Sequence, residues 1–271
     1  MALWLLFVAC HLPPRSVPEG QVVLGWRLAP GMELAYRLRT THTLAHDSVV
    51  REEVWRYLVR TADTDGTFVL EGQLQSLDAT WLRDDVPLEG VTLESALAEE
   101  RARLQEHGIT AVLSIDGRID RLDTGEWSDA VSQRLLALRL PLEPVEPGAR
   151  WNETDTARVF TRLVPTGQGV TLGGTERLER LRWERTPAHF PRRSTTFLAA
   201  EISCEGMLRP DDARYPTVDI QGEALWDLEA GHLAARTLHV AERGGTRPEQ
   251  TGTLTLELEW VGLPGLHPEA H

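Results

Sequence analysis

A few polar side chains of the sequence lie on faces that are otherwise apolar, where they could take part in chemistry. A helical pattern places Glu100 in the middle of a stripe of leucines, with His107 on the same side. A carboxylate in such a place is paired, reaches solvent at a rim, or anchors a ligand inside a cavity. Trp226 and Trp260 occupy core-facing positions of predicted strands, and tryptophans on a concave face suit lipid tails or sugar rings. These four residues form the candidate ligand-binding set.

The sequence predicts no catalytic residue, no metal site and no cofactor. His42 and His46 are four residues apart, but in a strand that spacing spans about 13 Å, which is too far for one ion. A polar strand edge is the better interpretation of this pair. The glycines within residues 167–174 are not followed by the helix that a dinucleotide loop requires. No serine lies in a nucleophile-elbow pattern.

The composition excludes several classes of protein. Lysine is absent from the 271 residues, so all 28 basic residues are arginines. Because a guanidinium stays protonated, enzymes that need a lysine Schiff base or a Walker-A lysine are excluded. The formal net charge of −13 disfavours nucleic acid as a partner, since a phosphate backbone needs a basic face. Arginines and glutamates alternate over residues 177–185, which indicates a solvated, ion-paired strand face.

The first twenty residues have the pattern of an export signal followed by a tether. Residues 1–9 are almost wholly apolar, too short a run to cross a bilayer as a helix but as long as a signal-peptide core. The residues from Phe7 to Cys10 resemble the bacterial lipobox, whose cysteine is lipidated, and the prolines that follow suit an extended tether. We predict a lipid anchor on Cys10. The alternatives are plain secretion and a buried strand of a cytosolic protein, and without lipidation a disulfide with Cys204 becomes possible.

Period-two alternation of apolar and polar residues dominates the rest of the chain, for example over residues 34–40 and 254–260. Turn sequences such as Asp116-Gly117 between such runs predict hairpins. Strands joined by hairpins form antiparallel sheets, and two helical patterns, at 92–107 and 128–140, need a face to cover. We therefore predict an α+β, mainly β fold: a large, curved antiparallel sheet, half-barrel-like, that wraps one or two helices.

We expect residues 21–264 to form a single β-rich domain, with a possible subdomain boundary near residues 141–150, where prolines cluster. The tail at 265–271 is expected to be loose.

Two local features of the strands are also predicted. A shift of the apolar face between Leu178 and Leu181 predicts a β-bulge. The alternation that ends at Leu228 predicts that Trp226 points inward and that Asp227 points outward.

The stretch from Leu140 to Trp151 carries the pattern LP-x-x-PV-x-x-G-x-x-W. This pattern resembles the signature of a family of uncharacterised bacterial envelope proteins. The residues 31–39 and the hairpin at 222–233 are similar to that family as well, so the resemblance spans most of residues 26–262. It implies a half-barrel comparable to the periplasmic lipoprotein carriers and a place in the cell envelope. It implies no catalytic residue.

Three functions are compatible with these observations. The first is a non-enzymatic lipoprotein of the cell envelope, either anchored in the outer membrane through Cys10 or located in the periplasm, whose curved sheet shelters an apolar ligand such as an acyl chain. The second is a surface interaction or scaffold module that binds an envelope protein partner through its sheet edges. The third is a hydrolase, which would need two converging carboxylates about 5–9 Å apart in a cleft.

Overall fold

The computed structural model describes residues 20–44, 46–84, 86–87, 91–123, 138–158, 169–185, 196–210, 217–243 and 252–261. The signal-like segment with Cys10, most of the second predicted helix and the tail at 265–271 lie outside the described residues.

Within these residues the chain forms twelve strands and one helix. The helix is α1 (Val91–His107), which lies between β4 and β5 in the chain. The strands are β1 (Glu33–Leu44), β2 (Asp47–Ala62), β3 (Thr67–Arg83), β4 (Val86–Pro87), β5 (Ile109–Ser114), β6 (Ile119–Asp123), β7 (Arg150–Arg158), β8 (Gly169–Arg185), β9 (Thr196–Pro210), β10 (Thr217–Asp227), β11 (His232–Arg243) and β12 (Gly252–Trp260).

All twelve strands belong to one open sheet. Its order is β6-β5-β3-β2-β1-β12-β11-β10-β9-β8-β7, and β4 pairs with β3 outside this path. Each neighbouring pair is antiparallel. The first strand pairs with the last one at the middle of the sheet, so both halves of the chain share one structure. The predicted α+β, mainly β architecture is confirmed.

The sheet is strongly curved, as two successive backbone amides demonstrate. The amide of Trp26 donates a hydrogen bond to the carbonyl of Ile115 in the β5–β6 turn, at 3.1 Å. The next amide, that of Arg27, donates to the carbonyl of Gly231 in the β10–β11 turn, at 2.9 Å. In the sheet order β5 and β11 are five strands apart, which is about 24 Å on a flat sheet. Only a sheet curled into a half-barrel brings both turns to neighbouring residues.

Two extended segments, residues 20–28 and 138–149, cross one end of this half-barrel, and we call them together the strap. They hydrogen-bond to each other through the backbone of Val22 and Val145, with N–O distances of 2.7 and 2.9 Å. Within the first segment the outward positions are those of Val23 and Arg27. The side chains that fill the end of the half-barrel belong to Val22, Leu24, Trp26 and Leu28.

The second segment of the strap joins opposite sides of the sheet. The amide of Leu140 donates to the carbonyl of Asp116 in the β5–β6 turn, at 2.8 Å, and the amide of Gly148 donates to the carbonyl of Leu178 in β8, at 2.6 Å. Leu140, Val145 and Gly148 all belong to the LP-x-x-PV-x-x-G-x-x-W pattern. The pattern therefore encodes contacts that hold the fold together.

The core lies on the concave, inner face of the sheet. Alternate residues of each strand from β5 across to β8 are buried there, as the predicted period of two requires. The helix α1 packs over β3, and its Leu97 and Leu104 belong to the same core. Representative inner-face residues are Leu113, Leu70, Trp55, Tyr57, Tyr36, Leu258, Leu238, Ala224, Ile202 and Leu178.

The predicted bulge in β8 is confirmed, because the register of β8 against β9 shifts between Leu178 and Arg180. The prediction for Asp227 is wrong, because its side chain is fully buried. One carboxylate oxygen of Asp227 accepts hydrogen bonds from the backbone amides of Glu229 and Ala230, at 2.9 and 2.8 Å. A turn-capping role at the strand end thus overrides the simple alternation.

Gly117→Ala is expected to lower the free energy of unfolding by about 2–5 kcal/mol. Gly117 has a φ of +83°, and an added Cβ would lie 1.9 Å from the carbonyl oxygen of Leu138 in the strap. Left-handed backbone costs about 1–2 kcal/mol and overpacking about 1–3 kcal/mol. Urea unfolding followed by tryptophan fluorescence measures the change.

Gly148→Ala is the matched control, because Gly148 has a φ of +93° and nothing within 4 Å of an added Cβ. Its free energy of unfolding should fall only by the cost of a left-handed backbone for alanine, about 1–2 kcal/mol. Equal losses for the two variants would contradict the close contact between the strap and the β5–β6 turn.

Candidate functional site

Several charged side chains lie on the otherwise apolar inner face. Glu53 and Arg51 continue the inward alternation of β2, Glu176 occupies an inward position of β8, and Arg236 occupies one of β11. Glu53, Glu176 and Arg236 are buried, with 4%, 3% and 7% of their surface exposed. Sequence reasoning missed these charges. The inward alternation that includes Trp55, extended by two and four residues toward the N-terminus, leads to Glu53 and Arg51 and would have identified both.

Arg51 links two carboxylates and joins the sheet to the helix. Its guanidinium donates to Glu53 on the same strand and to Glu100 on α1, the latter at 2.8 Å. The indole N–H of Trp55 donates to the second oxygen of Glu53. This network satisfies Glu53 and fixes the position of α1 over the sheet.

A second contact of the helix supports this position. The guanidinium of Arg101 donates to the backbone carbonyl of Leu77 in β3, at 2.6 and 3.2 Å. A charged donor on a backbone carbonyl is among the stronger hydrogen bonds. The helix is thus held to β2 and β3 by polar contacts as well as by its leucines.

The surroundings of the inner-face groups change their acid–base properties. Burial disfavours the charged form of Arg51, yet the carboxylates of Glu53 and Glu100 outweigh it and raise the pKa of Arg51 above its ordinary value. Burial raises the pKa of Tyr57, and the nearby Glu53 adds to that shift. Burial likewise raises the pKa of Tyr36 well above its ordinary value, with further contributions from Tyr57 and Asp227.

The two polar members of the candidate set lie in different environments. Glu100 is partly exposed and paired with Arg51. His107 is exposed in the last turn of α1, where its Nδ1 lies 3.0 Å from the carbonyl oxygen of Arg103. The helical pattern predicts both on one side of α1. In the structure Glu100 is bonded to Arg51 of the sheet, whereas His107 contacts the backbone of its own helix.

The two tryptophans of the candidate set belong to the aromatic packing at the strap end. Trp226 is fully buried, and its ring meets that of Trp26 edge-on, with centroids 4.9 Å apart. The ring of Trp260 lies 4.3 Å from that of His232. The structure therefore brings the two tryptophans to one end of the half-barrel, apart from the Arg51–Glu100 pair and from the exposed His107.

The space on the two faces of the sheet differs. Among the described residues, the inner cavity beside Trp26, Tyr36 and Leu113 measures only about 10 Å³, roughly the space of one water molecule. A groove of about 220 Å³ lies over the outer side of β8 to β11 and is lined by charged side chains together with the apolar Leu225 and Ala235. The inner-face residues Ala224 and Arg236 border this groove from below.

The outer groove is occupied by ion pairs. Arg180 and Arg182 both contact Glu201, at 3.0 and 3.1 Å. Arg182 also contacts Glu184, at 3.2 Å. These contacts confirm the predicted ion-paired strand face over residues 177–185.

The histidine spacing leads to no joint site in the structure. His46 lies next to β2 and contacts Asp84, at 3.0 Å, whereas His42 lies within β1 opposite Val49. Across the described ranges, no group of three or more histidine, cysteine or acidic side chains has the arrangement of a metal site. In the same residues no helix has the length and apolar character needed to span a bilayer.

No family model matches the chain, and no curated protein is significantly similar to it.

Arg51→Met is expected to lower the free energy of unfolding by about 3–5 kcal/mol, because Glu53 would stay buried with only the indole of Trp55 as a donor. Glu100→Gln should cost less than about 1 kcal/mol, since an amide oxygen still accepts from Arg51 and this pair is partly exposed. Urea denaturation at pH 7 distinguishes the two variants. Equal losses would mean that the helix contact, rather than the buried Glu53, dominates.

Stability should also fall as the pH rises above about 10. In the unfolded chain Tyr36 and Tyr57 lose their phenol protons near the ordinary tyrosine pKa of 10.0. The folded protein keeps these protons to a higher pH, because burial raises the pKa of both residues. The stabilisation is complete below about pH 10 and declines above it by up to about 1.4 kcal/mol per pH unit for each tyrosine. Tyr57→Phe should halve the slope, and an unchanged slope in that variant would contradict the assignment.

Proposed function

We propose that the protein is a non-enzymatic lipoprotein of the bacterial cell envelope, anchored through Cys10, that holds an apolar ligand on the inner face of its half-barrel. The observation that carries this proposal is the extent of the apolar inner face, which reaches from β5 across to β8. Its side chains are buried and the inner cavity measures only about 10 Å³, so a ligand would have to displace part of what covers this face. Against this face the described chain packs α1 over β3 and the strap at one end. A wide, concave apolar surface with few polar groups is the usual form of a site for an apolar molecule.

The position of the strap supports the proposed anchor. Gly20 begins the strap, so a tether that leads from Cys10 would join the half-barrel at this end. On the outer side of the strap Val23 and Leu142 expose 53% and 71% of their surface. Exposed apolar side chains beside a lipid anchor suit contact with the membrane surface, since anchoring by one chain is strengthened by a second interaction.

One of the two edges of the sheet, that formed by β6, favours this proposal over a scaffold that binds partners by strand addition. β6 is an edge strand of five residues and exposes the charged side chains of Asp120, Arg121 and Asp123. Short, charged edge strands discourage pairing with another chain. The two carboxylates that come together around Arg51, those of Glu53 and Glu100, are engaged in the network that positions α1, which favours a structural role for them over hydrolysis.

The anchor is tested by fractionation of cells that express the full chain. The wild-type protein should be found with the membranes and carry the mass of attached lipid, whereas Cys10→Ser should be soluble and lack that mass. Cys204→Ser is the matched control, because Cys204 lies partly buried in β9 and should leave the membrane association unchanged. Cys10→Ser protein that stays with the membranes would overturn the anchor.

The ligand is tested by native purification from envelopes followed by extraction with chloroform and methanol and mass spectrometry. A lipid in roughly stoichiometric amount is the expected result. The delipidated protein should then bind a fluorescent fatty acid. Protein that carries no lipid and binds no such probe would overturn ligand binding while leaving the anchor intact.

A further inference from the structure

Arg236 is a buried charge, and two of its three guanidinium nitrogens lack a hydrogen-bond partner. Only 7% of its surface is exposed, and its Nε and Nη1 are buried without a hydrogen-bond acceptor. In the register of β11, Arg236 lies between Ala224 of β10 and Leu258 of β12, both of which belong to the inner-face core. Its side chain is therefore on the inner face of the half-barrel.

Glu53 and Glu176 lie too far from Arg236 to pair with it. Asp227 lies three residues along β10 from Ala224, the partner of Arg236 in the register, and its carboxylate caps the turn at the end of that strand. In the register row that contains Arg236, Leu258 and Leu38 separate it from Glu53, which is three strands away, or about 14 Å along the sheet. Glu53 is moreover bound to Arg51. On the other side Glu176 is also three strands away, in the neighbouring row.

A buried guanidinium without a partner lowers the stability of the protein. Desolvation of an ionised group costs several kcal/mol unless hydrogen bonds or an opposite charge compensate it. An apolar residue at this position would pack with Leu258 and Leu38 without that cost. Such a departure from the pattern of the sheet is typical of a position selected for function.

The row of the inner face next to that of Arg236 has small side chains. In the row of Arg236 itself, Ala224 is followed by the buried Ile202 and Leu178. In the next row Gly222 and Cys204 lie between Leu238 and Glu176, and these two small residues take up little of the inner face. A slender apolar chain could lie along this surface with its polar end at the guanidinium.

We propose that Arg236 binds the anionic head group of an amphiphile, a carboxylate or a phosphate, whose apolar chain lies on the inner face. This inference rests on the proposed function and narrows its ligand class from apolar molecules to anionic amphiphiles. The planar guanidinium offers two parallel N–H donors to such an anion. The charge of Arg236 is compensated when the ligand is bound, which is how binding would recover the stability lost in the empty protein.

The test compares oleate with oleyl alcohol, which have the same chain, by displacement of a fluorescent probe from the delipidated full chain. The wild-type protein should bind oleate about tenfold more tightly or better, as expected for a charge-assisted pair in a buried site. Arg236→Met should reduce this preference to less than about threefold. Arg180→Met, on the outer face, is the matched control and should keep the wild-type preference.

Acetate and inorganic phosphate, offered alone, should fail to displace the probe. Displacement by these small anions as effective as that by oleate would overturn the amphiphile in favour of a site for free anions. Equal affinities for oleate and the alcohol in the wild-type protein would overturn the role of Arg236 and leave the proposed function standing. Binding of neither compound would overturn both.

The thermal stability of the ligand-free protein supplies an independent readout. Arg236→Met should raise the melting temperature, because it removes an unpaired buried charge while it keeps a side chain of similar length. A role of Arg236 in the fold alone predicts the opposite shift. A lowered melting temperature together with an unchanged preference for oleate would overturn the inference.

Discussion

The shape of the protein depends on the hydrogen bonds that the strap makes to distant parts of one sheet. Within the described residues the sheet stays open, and each of its edge strands, β6 and β7, pairs with a neighbour on one side only. The strap joins the turn beside one edge to β8 near the other, and Trp26 fills the space between with its ring against Trp226. Curvature is thus maintained by contacts across the concavity, in addition to the twist that every sheet has.

The charged side chains of the inner face have two different kinds of surroundings. Around Arg51, each charged group has a partner on the sheet or on α1, so the network contributes to the position of the helix. At Arg236 the same residue type stands among apolar neighbours without a hydrogen-bond acceptor at Nε or Nη1. The first arrangement is what a stable core requires, and the second makes sense when a molecule from outside completes it.

Local patterns predicted most of this architecture, because strands, hairpin turns and the bulge in β8 are set by neighbouring residues. The alternation around Trp55 and the turn at Asp116-Gly117 have direct counterparts in the structure. Asp227 was misjudged because its carboxylate caps the following turn, an interaction that outweighs the alternation. The strap was missed as an element, since its partners Ile115 and Gly231 lie far from it in the chain.

The candidate site was harder to predict than the fold for the same reason. The pairing of Glu100 joins residues 49 positions apart, and no local pattern reveals which strand residue meets a helix carboxylate. The tryptophans were correctly placed in the core, but Trp226 packs with Trp26, whose segment has no regular secondary structure. The apolar surroundings of Arg236 depend on the strands that lie beside β11. Only the order of strands in the sheet reveals these neighbours.

The pairing of β1 with β12 has a consequence for how the molecule is made. These two strands are more than two hundred residues apart in the chain, yet they form the seam between the halves of the sheet. Until the ribosome has released β12, the strand edges of β1 and β11 that pair with it stay unpaired. During that time each half of the sheet can associate with another nascent copy through these edges. A topology with such distant contacts folds slowly. The polypeptide therefore gains from a factor that keeps it unfolded until its synthesis is complete.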